Sequence, residues 1–302
     1  MNEPSSDTAM RKTDVEQVWR AHVASPAWPT FALAIFIAAA ELCVWASRLA
    51  LGLPLWVGAL VATLLAYLGF SVMHEASHGN LHGERRELKR AGEVLGWVAG
   101  MTLLAPYPAF RVLHLRHHSY TNHPDKDPDM HVAGGNVFAV LARCATIVPH
   151  YYLSFLFGAA SRCAQAKAER PAVLATTAVY AIVIALLSLS GYALEVMTLW
   201  VGPAVLASAL LAFAFDWLPH HPHSGRGRMR DTRAIPGLVL ELLLLGQSLH
   251  LIHHLWPRVP FYRYGSVFRQ VRPALEAQGA RIETLRGEPV EAATAARTLA
   301  LR

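Results

Sequence analysis

The chain has 302 residues, 54% of them hydrophobic and only 16% charged, with a mean hydropathy of +0.30. A water-soluble domain carries roughly 25% charged residues, so this composition and its long apolar runs exclude an ordinary soluble protein and point to the bilayer. The net charge of +6 does not imply nucleic acid, because the basic residues are spread along loops that flank the apolar runs.

Residues 1–27 are polar and read as a solvated tail or an interfacial helix. Trp28 to Leu51 is long enough to cross a hydrocarbon core of roughly 30 Å. No cleavable signal peptide is evident, since this run exceeds an h-region of roughly 7–15 residues. It is expected to be an uncleaved first span, with Glu41 hidden against the bundle. Gly52-Leu53-Pro54 is a turn, and Leu55 to Met73 returns, delivering His74 and His78 at its end. Residues 79–90 are polar and basic. Gly92 to Ala105 is apolar but too short to span, so a re-entrant or interfacial segment is expected. Val137 to Ala160 is interrupted by Arg143, Pro149 and His150; were it to cross, the histidines on either side of it would face opposite compartments. It is therefore expected to lie at the interface as one helix. Ala172–Leu189 and Leu194–Phe215 form a second crossing pair around Ser190-Gly191-Tyr192. Pro236 to Trp256 reads as a helix too polar at its end to span, and a helix from Gly265 to Ala277 follows.

These elements predict an all-α integral membrane protein: four transmembrane helices in two hairpins, interfacial helices and a cytosolic cap carrying the histidines. The domain reading is a polar tail (1–27), a membrane domain (28–265) and a cytosolic extension (266–302). Of the 27 Lys and Arg residues, all but Arg48 fall on one side of this arrangement. By the positive-inside rule that side is the cytoplasm, which puts both termini and the histidines there and the protein in the cell's inner membrane. Cys43, Cys144 and Cys163 lack CxxC spacing and read as small apolar residues rather than a disulfide framework or an iron–sulfur site.

Three histidine clusters carry the chemistry: His74 and His78 in HEASH, His114, His117 and His118 in HLRHH, and His250, His253 and His254 in HLIHH. Positions three and four apart share a helix face, so each cluster can aim two or three imidazoles at one point. Eight such ligands are too many for a single four-coordinate zinc and suit two ions in higher coordination. The carboxylate-bridged di-iron bundles use two ExxH motifs; this chain offers only Glu75-x-x-His78 among its clusters, so the site is nitrogen-rich. His220, in DWLPHH, is the choice for a ninth ligand. Asp216 and Glu75 are expected to orient ligands or bound water from behind, as are Asp125, Asp127 and Asp129. The competing reading, a membrane metal transporter, calls for ionisable residues near the midplane, where this chain offers little beyond Glu41.

The clusters resemble the histidine boxes of the membrane fatty acid desaturase superfamily: HEASH the first, HLRHHSYTN followed by DPD the second, GQSLHLIHHLWPRVPFYRY the third, with DWLPH similar to the extra histidine between them. Many members carry Asp at the second place of a longer first box, where this chain has Glu75. Within the superfamily, HLIHHLWP followed by PFYRY looks most like the bacterial carotenoid β-ring hydroxylases. The resemblance covers roughly residues 30 to 265. It implies two iron ions as a di-iron centre, O2 as co-substrate, and hydroxylation or desaturation of a lipid entering from the bilayer. Because the chain shows no cytochrome b5-like domain or cysteine cluster, it also implies a ferredoxin- or rubredoxin-type electron donor as a separate partner.

Overall fold

The computed structural model describes residues 12–290, and every regular element among them is helical; only isolated β-bridges, such as Ala234 with Ile282, occur beside the helices. A short amphipathic helix, α1 (Lys12–Arg20), precedes the first long one. The first membrane hairpin is α2 (Trp28–Leu51) and α3 (Leu55–His78). Pro29 sits in the first turn of α2, where its missing N–H costs no hydrogen bond. Gly52 closes α2 in the left-handed conformation at φ 68° and donates its N–H to Ser47 O. Ile35, Phe36, Leu42 and Leu49 on α2, and Trp56, Leu60 and Leu64 on α3, face outward. Stripes of this size are stable only against an apolar solvent.

α3 is the axis of the bundle, buried continuously from Ser71 to Ser77. α4 (Lys89–Thr102) lies against it through glycines; a Cβ at Gly96 would stand 2.9 Å from Ala76 and 2.8 Å from the Tyr107 ring. α5 (Tyr107–Tyr120) carries the second histidine cluster. The expected helix over 137–160 is instead two, α6 (Val137–Ala145) and α7 (Ile147–Leu156), with a bend of 63° between them. The break is local: Thr146 turns its hydroxyl back to Ala142 O, and Pro149 falls in the first turn of α7.

α8 (Ala164–Leu187) begins eight residues earlier than expected, because AQAKAER is made of good helix formers that are merely unsuited to hydrocarbon. Helical structure continues through residue 220, but Gly191 at φ 94° folds it back. The Tyr180 and Trp200 rings, on either side of that turn, meet at 6.1 Å. The returning helix α9, residues 193–220, contains π-helical turns at Met197–Val201 and Ala212–Trp217. Among the described residues three helical stretches are long and apolar enough to cross a membrane, or four if the bent 137–162 pair is one span.

The expected helix over 236–256 is also two: α10 (Leu238–Leu243) and α11 (His250–Leu255). Leu245 and Gly246 both take positive φ between them, and a Cβ at Gly246 would lie 2.6 Å from Phe261 O. α12 (Tyr264–Ala277) follows. Its Val267, Phe268 and Val271 share one core with Leu249, Leu251 and Ile252 and with Val15, Val18 and Trp19 of α1. The hydrophobic core therefore runs without a gap across residue 265. Residues 1–11 and 291–302 of the expected tail and extension lie outside the described residues.

Candidate metal centre

α3, α5, α9 and α11 deliver all nine predicted histidines to one buried place. His74, His78, His114 and His253 form one group of possible metal donors, and His117, His220, His250 and His254 a second. His118 adds to the first, its Nε2 3.2 Å from His114 Nε2 and 2.8 Å from His253 Nε2. The remaining close pairs are His74–His253 at 3.0 Å, His78–His114 at 2.8 Å, His117–His254 at 3.2 Å and His250–His254 at 3.2 Å, all between Nε2 atoms. His220 is buried, with its Nε2 unpartnered and its ring 5.0 Å from those of His250 and His254. The other histidines, among them His82, His221 and His223, stand outside both groups.

These spacings have a chemical reading. With metal–nitrogen bonds of about 2.1 Å, neighbouring donors lie about 3.0 Å apart at right angles and about 3.4 Å apart in a tetrahedron. The observed 2.8–3.2 Å fits the right-angled case. Ring-to-ring hydrogen bonds account for it poorly: His114, His118, His253 and His254 each have two ring neighbours at one nitrogen, which carries either a proton or a lone pair. A cation between the rings satisfies all of them.

Four of the far nitrogens are held from behind, while that of His74 is buried without a partner. His117 Nδ1 donates to Asp127 at 2.9 Å and lies 3.2 Å from Asp129; His220 Nδ1 donates to Asp231 O at 3.1 Å. His250 Nδ1 donates to Gln247 Oε1 at 2.7 Å, and His253 Nδ1 to the Tyr264 hydroxyl at 3.0 Å. A proton fixed on Nδ1 leaves the Nε2 lone pair free to point inward. Burial first, then neighbouring imidazoles, hold His114, His118, His250, His253 and His254 well below the usual imidazole range, so these rings are neutral, the form a ligand needs. At His117 burial acts the same way, but Asp127 and Asp129 outweigh it and lift the ring to about 10. Carboxylates that favour a proton there favour any cation, and a divalent ion at Nε2 answers the same negative charge.

Two supporting residues behave differently from expectation. Glu75 is fully buried but touches no imidazole; its Oε1 accepts from Asn80 Nδ2 and Phe261 N, each at 3.2 Å, tying the end of α3 to the segment after the third box. Its short reach is spent on these donors. Asp216 hydrogen-bonds no imidazole; it lines a narrow apolar cleft with Phe70, Met73, Phe110 and Tyr151, and its charge acts on His117 alongside those of Asp127 and Asp129. This cleft meets the first histidine group: Phe70 stacks on His74 at 5.6 Å and Phe110 on His114 at 5.2 Å. Asp125 is exposed, whereas Asp127 also accepts from Asn122 N and Asp129 N. Asn122 in turn donates to Gly225 O and Asp231 O, latching the second box to the loop after His220. Gln247 and Tyr264 went unpredicted as site residues, although both fall within the third-box stretch and Gln247 lies one helical turn before His250.

The family model described as fatty acid desaturase matches residues 50–286. The zeaxanthin 4-ketolase of Chlamydomonas reinhardtii is 26% identical over 218 residues, 70% of this chain and 43% of that protein. The chloroplastic omega-3 fatty acid desaturase of Brassica napus is 23% identical over 239 residues, 68% of this chain and 58% of that protein. The ferredoxin-type sn-2 acyl-lipid omega-3 desaturase of Arabidopsis thaliana is 22% identical over 239 residues, 68% and 52%. The chain thus spans about half the length of the curated relatives it matches.

Proposed function

This chain belongs to the fatty acid desaturase family, and from that premise we propose that it is a membrane oxidoreductase that uses two iron ions and O2 to hydroxylate or desaturate a lipid, with carotenoid ring hydroxylation the first choice. The observation that carries the reading is the convergence of nine imidazoles into groups of five and four, eight of them with Nε2 atoms at right-angled spacing. His74, His78, His114, His118 and His253 would hold one ion, and His117, His220, His250 and His254 the other. The ions would supply O2 activation and oxidising power. The chain's own residues do the rest. Asp127, Gln247, Tyr264 and the Asp231 carbonyl orient ligand rings. Phe70, Met73 and Phe110 line an apolar approach beside the first group, which positions a C–H bond and keeps water away.

We place the protein across the membrane four times in two hairpins, both termini and the metal centre facing the cytoplasm of an inner membrane. The Arg48–Glu195 ion pair at 2.8 Å supports this, joining the loop-side ends of α2 and α9 at the end away from the histidines. Electrons would come from a separate ferredoxin- or rubredoxin-type donor. The carotenoid preference is supported by the third-box resemblance and by the ketolase relative; fatty acyl desaturation, supported by the two omega-3 desaturase relatives, is the second reading. A metal transporter is disfavoured because the ligands gather at one end of the bundle.

The test is expression in a β-carotene-producing host, with metal analysis of the purified protein. Hydroxylated carotenoids together with two irons per chain are expected. Altered fatty acids in place of carotenoids would transfer the assignment to the second reading. Zinc in place of iron, with neither product, would overturn it.

A further inference from the structure

Away from the histidines, the membrane helices form a second feature, a groove that opens outward past the exposed Leu42 and Leu49. Ala38, Glu41, Leu42, Trp45 and Leu49 form one face of α2, and with Val98, Met101, Val183, Leu199 and Trp200 from other helices they line a cavity of about 580 Å³. Ala62 of α3 is also in its wall; it precedes His74 by twelve residues, which is about 18 Å along a helix axis. The cavity is therefore a separate place from the metal centre. Its size lies within the roughly 300–1,000 Å³ of small-molecule sites.

The walls are apolar apart from a few groups, and most of those are engaged. Trp200 Nε1 donates to Met101 O at 2.7 Å and Thr102 Oγ1 to Ala99 O at 2.8 Å. Tyr192 stands at the far end, beside the turn at Gly191. Glu41 has no hydrogen-bond or ion-pair partner among the described residues, although it sits in the middle of a membrane helix. An ionisable group in hydrocarbon is costly and is retained where something pairs with it. Nothing in the protein does, so the partner arrives with the occupant. An ammonium brings three donors and a full charge, and one carboxyl would leave two donors unsatisfied in hydrocarbon. A hydroxyl brings one donor, which one carboxyl satisfies.

We propose that this cavity binds a long apolar molecule bearing a single hydroxyl group, with the hydroxyl on Glu41. The claim is independent of the metal chemistry and stands or falls without it.

Trp45 and Trp200 line the cavity, so their emission reports occupancy. The full chain in nanodiscs is titrated with all-trans-retinol, which absorbs where tryptophan emits, and separately with its methyl ether, which has the same body and no donor. Retinol is expected to quench at about tenfold lower concentration than the ether, the worth of one buried hydrogen bond to a carboxyl. Glu41→Leu should erase that ratio, and Glu41→Gln, which keeps an acceptor, should retain part of it. Equal binding of the two probes by the unaltered protein overturns the proposal with no variant needed. So does a ratio that survives Glu41→Leu.

Discussion

Asp127 is the residue whose removal should be felt most widely for its size. Its carboxylate accepts from His117 Nδ1 at 2.9 Å, Asn122 N at 2.7 Å and Asp129 N at 2.9 Å, and it is 6% exposed. Asp127→Ala strands two buried backbone donors at about 1–3 kcal/mol each, so about 2–6 kcal/mol of stability is lost. It also frees the His117 ring, and loss of such a partner typically costs about 10–100-fold in metal affinity. His117 belongs to the four-histidine group, while the five-histidine group has no contact with Asp127. The expected result is a lowered melting midpoint and iron falling from two ions per chain toward one, with Asp127→Asn intermediate in both. Elemental analysis and thermal unfolding in detergent check it. An Asp127→Ala protein with full iron and an unchanged midpoint would refute both the carboxylate's role and the division of the donors.

Tyr264→Phe leaves His253 Nδ1 without its acceptor at 3.0 Å and should weaken metal at the five-histidine group by about 10–100-fold, read by competition with a chelator. Gly96→Val puts a branched side chain where a Cβ alone would lie 2.8 Å from the Tyr107 ring, so α4 must move off α3 and α5. A loss of at least about 1–3 kcal/mol in unfolding is expected, and an unchanged midpoint would count against the packing. In a background with Cys43, Cys144 and Cys163 replaced by serine, Ser190→Cys and Asp125→Cys should label with an impermeant reagent from opposite faces of sealed vesicles. Labelling of both from one face would remove the two-hairpin topology.

The long elements were legible because hydrophobic length is a local property. Trp28–Leu51 is bounded by a proline at one end and a glycine at the other, and the structure bounds α2 at the same residues. Eight of the histidines were legible because their spacing is helical, and His220 because it falls where the last crossing ends, level with the clusters. What stayed hidden depends on contacts between distant segments. The breaks at Thr146 and Gly246 follow from a hydroxyl turned onto its own helix and from the approach of Phe261 O, neither of which changes the apolar pattern. Asp216 and Glu75 are the right residue type near the right place, yet one lines the apolar cleft and the other is captured by Asn80 and the Phe261 amide. Tyr264, eleven residues past His253, reaches it only because the chain doubles back through Pro257–Pro260 into α12.

Two of the histidine-bearing helices, α5 and α11, each contribute to both groups, with α3 completing one and α9 the other. Ions held in this way would be rivets through four segments separated by up to 180 residues of chain. Binding to the native form alone then adds RT ln(1 + [M]/Kd) to its stability. Iron starvation would consequently do more than idle the protein. It would loosen the cap in which α10 already presents Leu238, Val239, Leu242 and Leu243 to its surroundings, and hand the chain to the cell's proteases, so that its abundance follows the metal supply.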